Sequence, residues 1–245
     1  MTTYTSRWLV CNTARPDARI RLVCFPHAGG SASFYRAWGQ TLTEMEVHAV
    51  QYPGRAERLD EKPPTDLVQL ATDIADALEP LTDLPLAFFG HSLGAAMALE
   101  TARALQQRGI RIEHLFASGS RDAPLPVLPG PEEDPEQLLL DLVRMGGTDA
   151  EMAADPIFQE MVMPYLIADG RMFHSYTMAP GPLLSCPVTT IVGDQDDDTD
   201  LRPWSTVSTI PVQEAGVSGN HFYLIDKPPY ALLEQTLSVP RTDSC

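Results

Sequence analysis

The chain reads as an α/β protein with a mostly parallel central sheet, helices on both faces and a helical insertion past its middle. Three observations predict this. Short apolar runs alternate with amphipathic stretches of helical period through the first half of the chain. One run, Pro85-Leu86-Ala87-Phe88-Phe89, passes through Gly90-His91-Ser92-Leu93-Gly94 into an Ala- and Leu-rich stretch over 95–108, a strand–turn–helix sequence. After Gly119 the alternation stops, and no strand pattern returns until Cys186-Pro187-Val188-Thr189-Thr190-Ile191-Val192.

The elements follow in order. Residues 7–10 and 20–25 read as strands, separated by a turn that holds Asn12, Pro16 and Asp17. The second strand runs into Pro26-His27-Ala28-Gly29-Gly30-Ser31, then a helix-like segment over 32–42. A third strand over 47–51 ends at the turn signal Tyr52-Pro53-Gly54-Arg55. Leu67, Leu70, Ile74, Ala77 and Leu78 recur at helical spacing over 66–78. After the strand–turn–helix at Ser92, residues 112–118 form another buried-strand pattern. Five prolines between 122 and 135 exclude a helix or a central strand there. Three or four short helical patterns then fill 136–178, and they are expected to form a lid. Six of the nine methionines fall in this insertion. They suit either an adaptable apolar lining or ordinary core filling, and the sequence favours neither. A last strand is expected over 210–214 and a closing amphipathic helix over 229–237.

Length and composition set bounds. At 245 residues the chain fits one large domain, 1–245, with the insertion at about 121–180. It has no long apolar run to span a membrane, and residues 1–7 lack a signal-peptide core. A soluble, cytoplasmic, monomeric protein is the expectation. The formal net charge of −16 argues against sequence-independent nucleic-acid binding. Cys11, Cys24, Cys186 and Cys245 share no metal-ligand or disulfide spacing, so no metal site is expected. Cys24 and Cys186 read as core residues and Cys245 as exposed.

The chemistry centres on Gly90-His91-Ser92-Leu93-Gly94, a G-x-S-x-G pattern. On such a turn the serine hydroxyl is pushed out at the carboxyl edge of the sheet, and glycine is needed where strand and helix backbones nearly touch. In hydrolases of this pattern the two oxyanion donors are backbone N–H groups. One belongs to the residue after the nucleophile, here Leu93, and the other to the loop after an earlier strand, here Ala28. A serine hydroxyl needs an imidazole to take its proton and a carboxylate to orient that imidazole. His221, in Gly219-Asn220-His221-Phe222-Tyr223-Leu224, is the one histidine in a loop after the last strand. His91 adjoins Ser92 in sequence and is expected to point away from the hydroxyl, while His27 could line the pocket. The acid lies in Gly193-Asp194-Gln195-Asp196-Asp197-Asp198-Thr199-Asp200. Read as a calcium loop, that run has Thr199 at the glycine position and Ser205 at the closing glutamate position, so the pattern fails. The order serine, acid, histidine is that of the α/β-hydrolase fold.

These stretches resemble the type II thioesterases of polyketide and nonribosomal peptide synthesis, and the related medium-chain thioesterases of fatty acid synthesis. Cys24-Phe25-Pro26-His27-Ala28-Gly29-Gly30-Ser31 and Tyr52-Pro53-Gly54-Arg55 are the most specific matches. The Ser92 turn, Gly193-Asp194-Gln195-Asp196, Trp204, the His221 stretch and, in the insertion, Leu125-Pro126 and Gly146-Gly147-Thr148 complete them. The resemblance implies a catalytic triad of Ser92, Asp196 and His221, because the family's acid stands three residues after the glycine that ends its strand. It implies removal of stalled or wrong acyl groups from the phosphopantetheine arm of acyl or peptidyl carrier proteins, which are domains of a synthase. No cofactor is implied beyond the arm on the partner. Carrier proteins are usually acidic, so docking calls for a local basic patch, with Arg55, Arg58 or arginines of the insertion as candidates. A general carboxylesterase or a chain-releasing thioesterase is the alternative on the same fold. A chain of this length, free of a synthase, disfavours the second. A noncatalytic binding protein is a third reading, disfavoured by an intact triad.

Overall fold

The computed structural model describes residues 6–124 and 134–238. Most of the proline-rich stretch, with Leu125-Pro126, and Cys245 lie outside the described residues. The main sheet has seven strands in the order β1-β3-β2-β4-β5-β7-β9. These are β1 (Leu9–Val10), β2 (Arg21–Phe25), β3 (Glu46–Val50), β4 (Leu86–His91), β5 (His114–Ser118), β7 (Val188–Gly193) and β9 (Gln213–Val217). Only β1 runs antiparallel, against β3; the other pairs are parallel.

The inner strands are buried along almost all of their length and mostly apolar because both faces of the sheet are covered. Successive side chains leave a strand on opposite faces. Val23, Phe25 and Phe88 therefore join the core beneath α2 (Leu67–Leu78) and α3 (Leu93–Gln107). Leu22, Cys24 and Phe89 join the core on the other face, with Trp38 of α1 (Trp38–Thr41) and Leu233 of α7 (Tyr230–Leu237). Asp66 caps α2, its carboxylate accepting the Gln69 N–H at 3.0 Å.

The order of the central strands locates the working edge. From β2 the chain goes to β3 on one side, then returns to β4 on the other side. That reversal opens a crevice at the carboxyl ends of β2 and β4, where ligands of parallel sheets bind. The loop over 26–31 follows β2 and Ser92 follows β4, so both flank this crevice.

Several expectations shift. Residues 32–42 form a 3₁₀ turn (Ala32–Tyr35) and the one-turn α1 rather than a single helix. The last strand lies over Gln213–Val217, three residues later than expected, and pairs β7 along its length. A second sheet, absent from the sequence reading, joins β6 (Ser120–Asp122) to β8 (Asp200–Arg202) beside the acidic run.

Between β6 and β7 lie α4 (Pro135–Arg144), α5 (Ala150–Ala154) and α6 (Pro156–Ser175). Pro135 and Pro156 each open a helix, a position where the missing N–H costs nothing. The short helices expected toward 178 merge into α6, which runs 20 residues through Pro164. Among the methionines, Met163, Met172 and Met178 are buried in the core, Met152 and Met161 are exposed, and Met145 alone of the six lines the cavity described below. Core filling thus describes three of them and pocket lining one. Among the described residues, no helix is long and apolar enough to cross a membrane.

Candidate active site

Ser92 stands between the last residue of β4 and the first of α3, with φ +56° and ψ −122°. A non-glycine residue rarely takes positive φ, and the turn is held because its surroundings fix it. The Ser92 N–H donates to Ser118 O at 2.8 Å, and Ser92 O accepts from the Ala95 N–H at 2.8 Å. The flanking glycines are required by contact. A Cβ on Gly90 would strike Gly94 O and sit 2.7 Å from Ala95 Cα; one on Gly94 would strike Phe25 O and sit 2.7 Å from Pro26 O. All of these are backbone atoms that cannot swing aside. Gly94→Ala is therefore expected to cost more than about 3 kcal/mol, above the usual range for overpacking. Denaturant unfolding checks this; a loss below about 1 kcal/mol would mean that the turn can open.

His221 follows β9 and is buried. Its Nδ1 lies 3.0 Å from Asp196 Oδ2, and the Asp196 side chain is wholly buried. Burial opposes the charge on Asp196. The hydrogen bond and charge of His221, the Thr199 side chain and the Asp198 N–H outweigh it and hold the carboxyl below its usual range. The other acids of the run have different duties. Asp194 accepts the Gly219 N–H at 2.8 Å, which ties the acid loop to the histidine loop. Asp198 takes both ends of the Arg144 guanidinium, at 2.9 and 3.0 Å. Asp200 pairs with Arg202 at 2.6 Å and with the Ser120 hydroxyl at 3.2 Å, and Asp197 is exposed.

Ser92, His221 and Ala28 line one cavity of about 240 Å³. Leu138, Leu142 and Met145 of the α4 region, Leu166 of α6 and Phe222 supply its apolar wall, and Asp141 and His174 its polar margin. No hydrogen bond joins Ser92 to His221 among the described residues; such bonds are often long before substrate arrives. The Ala28 N–H has no acceptor among the described residues. Leu93, as first residue of α3, has an N–H without an intrahelical partner.

Two further buried histidines flank His221. His91 is placed beside it, with ring centroids 4.9 Å apart, and its Nδ1 meets Ser118 Oγ at 2.9 Å, which in turn meets the Tyr223 hydroxyl at 2.7 Å. His27 lines the cavity as expected, packed edge-on to Phe34 and Phe222. Burial, and then the proximity of His221, holds both rings neutral; the pKa of His27 is drawn down to about 3 and that of His91 well below the usual range. An unfolded chain protonates these rings near pH 6.5 while the folded one does not. Their contribution to stability is thus complete above about pH 6.5 and is lost progressively as pH falls toward about 3. Denaturation midpoints measured between pH 7 and 4 are expected to fall, and His91→Asn should flatten the slope. An equal slope in the variant would assign the acid sensitivity elsewhere.

The two most distinctive sequence stretches meet here. Tyr52 OH donates to Pro26 O at 3.2 Å, Arg55 Nη1 donates to Gly30 O at 3.1 Å, and Gln51 Oε1 accepts the Ala32 N–H at 3.2 Å. The turn after β3 is thereby a cradle for the loop after β2. This corrects the docking expectation for two residues: Arg55 and Arg58 are 1% and 4% exposed and form internal pairs, Arg55 with Asp169 and Arg58 with Glu61. The arginines Arg144 and Arg171 of the insertion are exposed. Sequence reasoning missed Asp169. Its signal was an acid on the stripe Met163, Leu166, Asp169, Met172 that α6 buries.

A parallel sheet with a serine on a strained strand–helix turn and a histidine–carboxylate pair from later loops defines an α/β hydrolase. The sequence profile of the thioesterase domain matches residues 20–238. The chain is 39% identical over 219 residues to thioesterase PikA5 of Streptomyces venezuelae, which covers 86% of this chain and 78% of that protein. The type II thioesterase BorB, from the borrelidin biosynthetic cluster, superposes with a TM-score of 0.81 at 33% identity, over 96% of this chain and 100% of that one. RedJ, a thioesterase of the prodiginine pathway of Streptomyces coelicolor, gives 0.79 at 35% identity, over 91% and 88%. The chain belongs to the thioesterase family and is a thioester hydrolase.

Proposed function

We propose that the protein is a type II thioesterase that clears acyl groups from the phosphopantetheine arm of acyl or peptidyl carrier proteins in polyketide or nonribosomal peptide synthesis. Ser92, His221 and Asp196 form its triad. The observation that carries the reading is the Asp196–His221 hydrogen bond at 3.0 Å, opening onto the same apolar cavity as Ser92 and Ala28. The naming of PikA5, BorB and RedJ as thioesterases of biosynthetic clusters supports the pathway class.

In this reading Ser92 Oγ attacks the thioester carbonyl as His221 takes its proton, and Asp196 holds the imidazolium. The oxyanion lies between the N–H groups of Ala28 and Leu93, at the positive end of α3. The tetrahedral intermediate collapses, the C–S bond breaks, and the pantetheine thiolate leaves with the proton from His221. A thiol leaves more readily than an alcohol, a cysteine-type thiol having a pKa of about 8.5. Water then attacks the acyl-serine carbonyl, giving its proton to His221, which returns it to Ser92 as the free acid departs. No metal or cofactor enters these steps; the phosphopantetheine belongs to the partner. Helices α4 to α6 serve as a lid over the cavity, the carrier docks by surface arginines of the insertion, and a cytoplasmic monomer suits the task.

The test is hydrolysis of a short acyl group from a phosphopantetheinylated carrier protein beside a p-nitrophenyl ester, with Ser92→Ala as baseline. Carrier turnover favoured over ester by at least tenfold in kcat/KM is the expected result. Ester turnover with no action on the carrier would establish a general esterase instead, and no turnover of either a binding protein.

A further inference from the structure

The loop that presents Ala28 is held from the far side of the cavity as well. Asp169, in the middle of α6, accepts the Gly29 N–H through Oδ2 at 2.8 Å. The same carboxylate takes a bidentate pair from Arg55, Nη1 to Oδ2 and Nη2 to Oδ1, each at 2.6 Å. Both side chains are 1% exposed. Arg55 Nη1 also reaches Gly30 O at 3.1 Å, and its guanidinium packs over the Tyr165 ring at 4.7 Å. The ion pair thus grips both ends of the Gly29–Gly30 unit, one N–H and one C=O, immediately after Ala28. Gly29 has φ +74°, and a Cβ there would lie 2.9 Å from Leu166 Cδ1 of α6, so helix and loop are in direct contact.

A buried ion pair is a weak source of stability, since the desolvation of two charges offsets their attraction. Its geometry is better explained by what it fixes. We infer that Arg55 and Asp169 are positioning residues of the reaction: they lock the Gly29–Gly30 peptide to α6 and so set the direction of the Ala28 N–H toward the oxyanion. The inference rests on Ala28 being an oxyanion donor, as read above. It also makes α6 part of the frame that holds the loop after β2. Loss of one oxyanion donor costs about 10²–10³ in kcat, and a displacement of about 1 Å about 10².

Three variants test this: Asp169→Asn, Arg55→Lys and the apolar double variant Arg55→Met/Asp169→Leu. Each is assayed with a p-nitrophenyl ester and a small-molecule butyryl thioester, which need no carrier. Affinity for butylboronic acid, whose adduct with the serine is a tetrahedral anion, and thermal unfolding are measured alongside. We expect kcat to fall about tenfold to a hundredfold with KM within about twofold, and boronic acid affinity to fall in proportion. The double variant should regain thermal stability without regaining kcat. Should it fail to fold, Arg55→Lys, which keeps the charge but not the fork, decides by the same criteria. A folded variant with kcat within about threefold of wild type, a loss carried by KM, or boronic acid affinity unchanged would each overturn the positioning role. With Ser92→Ala inactive, those outcomes overturn this inference alone. Turnover retained in Ser92→Ala would remove the serine reading and this inference together.

Discussion

Ser92→Ala is expected to lower kcat for thioester hydrolysis by about 10⁴–10⁶-fold, the range seen when a member of a catalytic triad acting as a unit is removed. The structure makes this a clean test. The backbone at Ser92 is fixed by its N–H to Ser118 O and by the contacts of Gly90 and Gly94, none of which involves the hydroxyl. Alanine carries the same Cβ into the same positive φ, so the turn keeps its shape and its strain. Thermal unfolding should move by no more than a few degrees, a shift of about 1 kcal/mol or less. What disappears is the hydroxyl oxygen, the nucleophile of the proposed mechanism. Activity above about a tenth of wild type, with folding intact, would mean that water is activated directly by His221 and that no acyl-serine forms.

Asp196→Asn is expected to lower kcat by about 10⁴-fold, through the wrong imidazole tautomer rather than lost packing. The carboxylate accepts from His221 Nδ1 at 3.0 Å, which leaves Nε2 for the serine proton in the proposed mechanism. An asparagine amide turned to donate to Nδ1 would place the ring proton on Nε2 and remove the base. Asp198→Asn is the matching control. Its partner is the half-exposed Arg144, and ion pairs of that kind contribute about 1 kcal/mol at most, so kcat should change by less than about threefold. Steady-state kinetics of the two variants side by side decide the matter. Equal losses would show that the acidic run acts as a cluster; a loss only in Asp198→Asn would move the acid by two positions.

The parts of the site that were legible in the sequence are those whose chemistry imposes a local pattern. A strand–turn–helix elbow needs glycine at fixed offsets, so Ser92 could be read from five residues. The serine–acid–histidine order follows from which strands carry the three loops, and the strand patterns were clear for β2 to β5 and for β7. The carboxylate that meets His221 was legible only to within a run of five aspartates, because all five fall in one segment after β7 and only the folded chain shows which of them bonds to the imidazole. Residue pattern could not show β6 and β8, two three-residue strands whose pairing stems from the path of the chain after β5 and β7. The same limit hid the Arg55–Asp169 pair. Its members are separated by 114 positions, and an arginine after a Pro-Gly turn looks like a surface residue until a helix from the insertion covers it.

The chain positions of the three proposed triad residues bear on how the molecule would acquire its activity. Ser92, Asp196 and His221 follow β4, β7 and β9, and these strands are joined through β5 by parallel pairings between distant segments. Such pairings close long loops before any contact rewards them, and form slowly. A chain with β2 to β5 assembled already carries the Ser92 elbow, yet has neither His221 nor Asp196 in place. With the triad proposed above, turnover requires β4, β7 and β9 together, so regain of turnover during refolding is expected to report pairing across that whole half of the sheet rather than formation of the elbow alone.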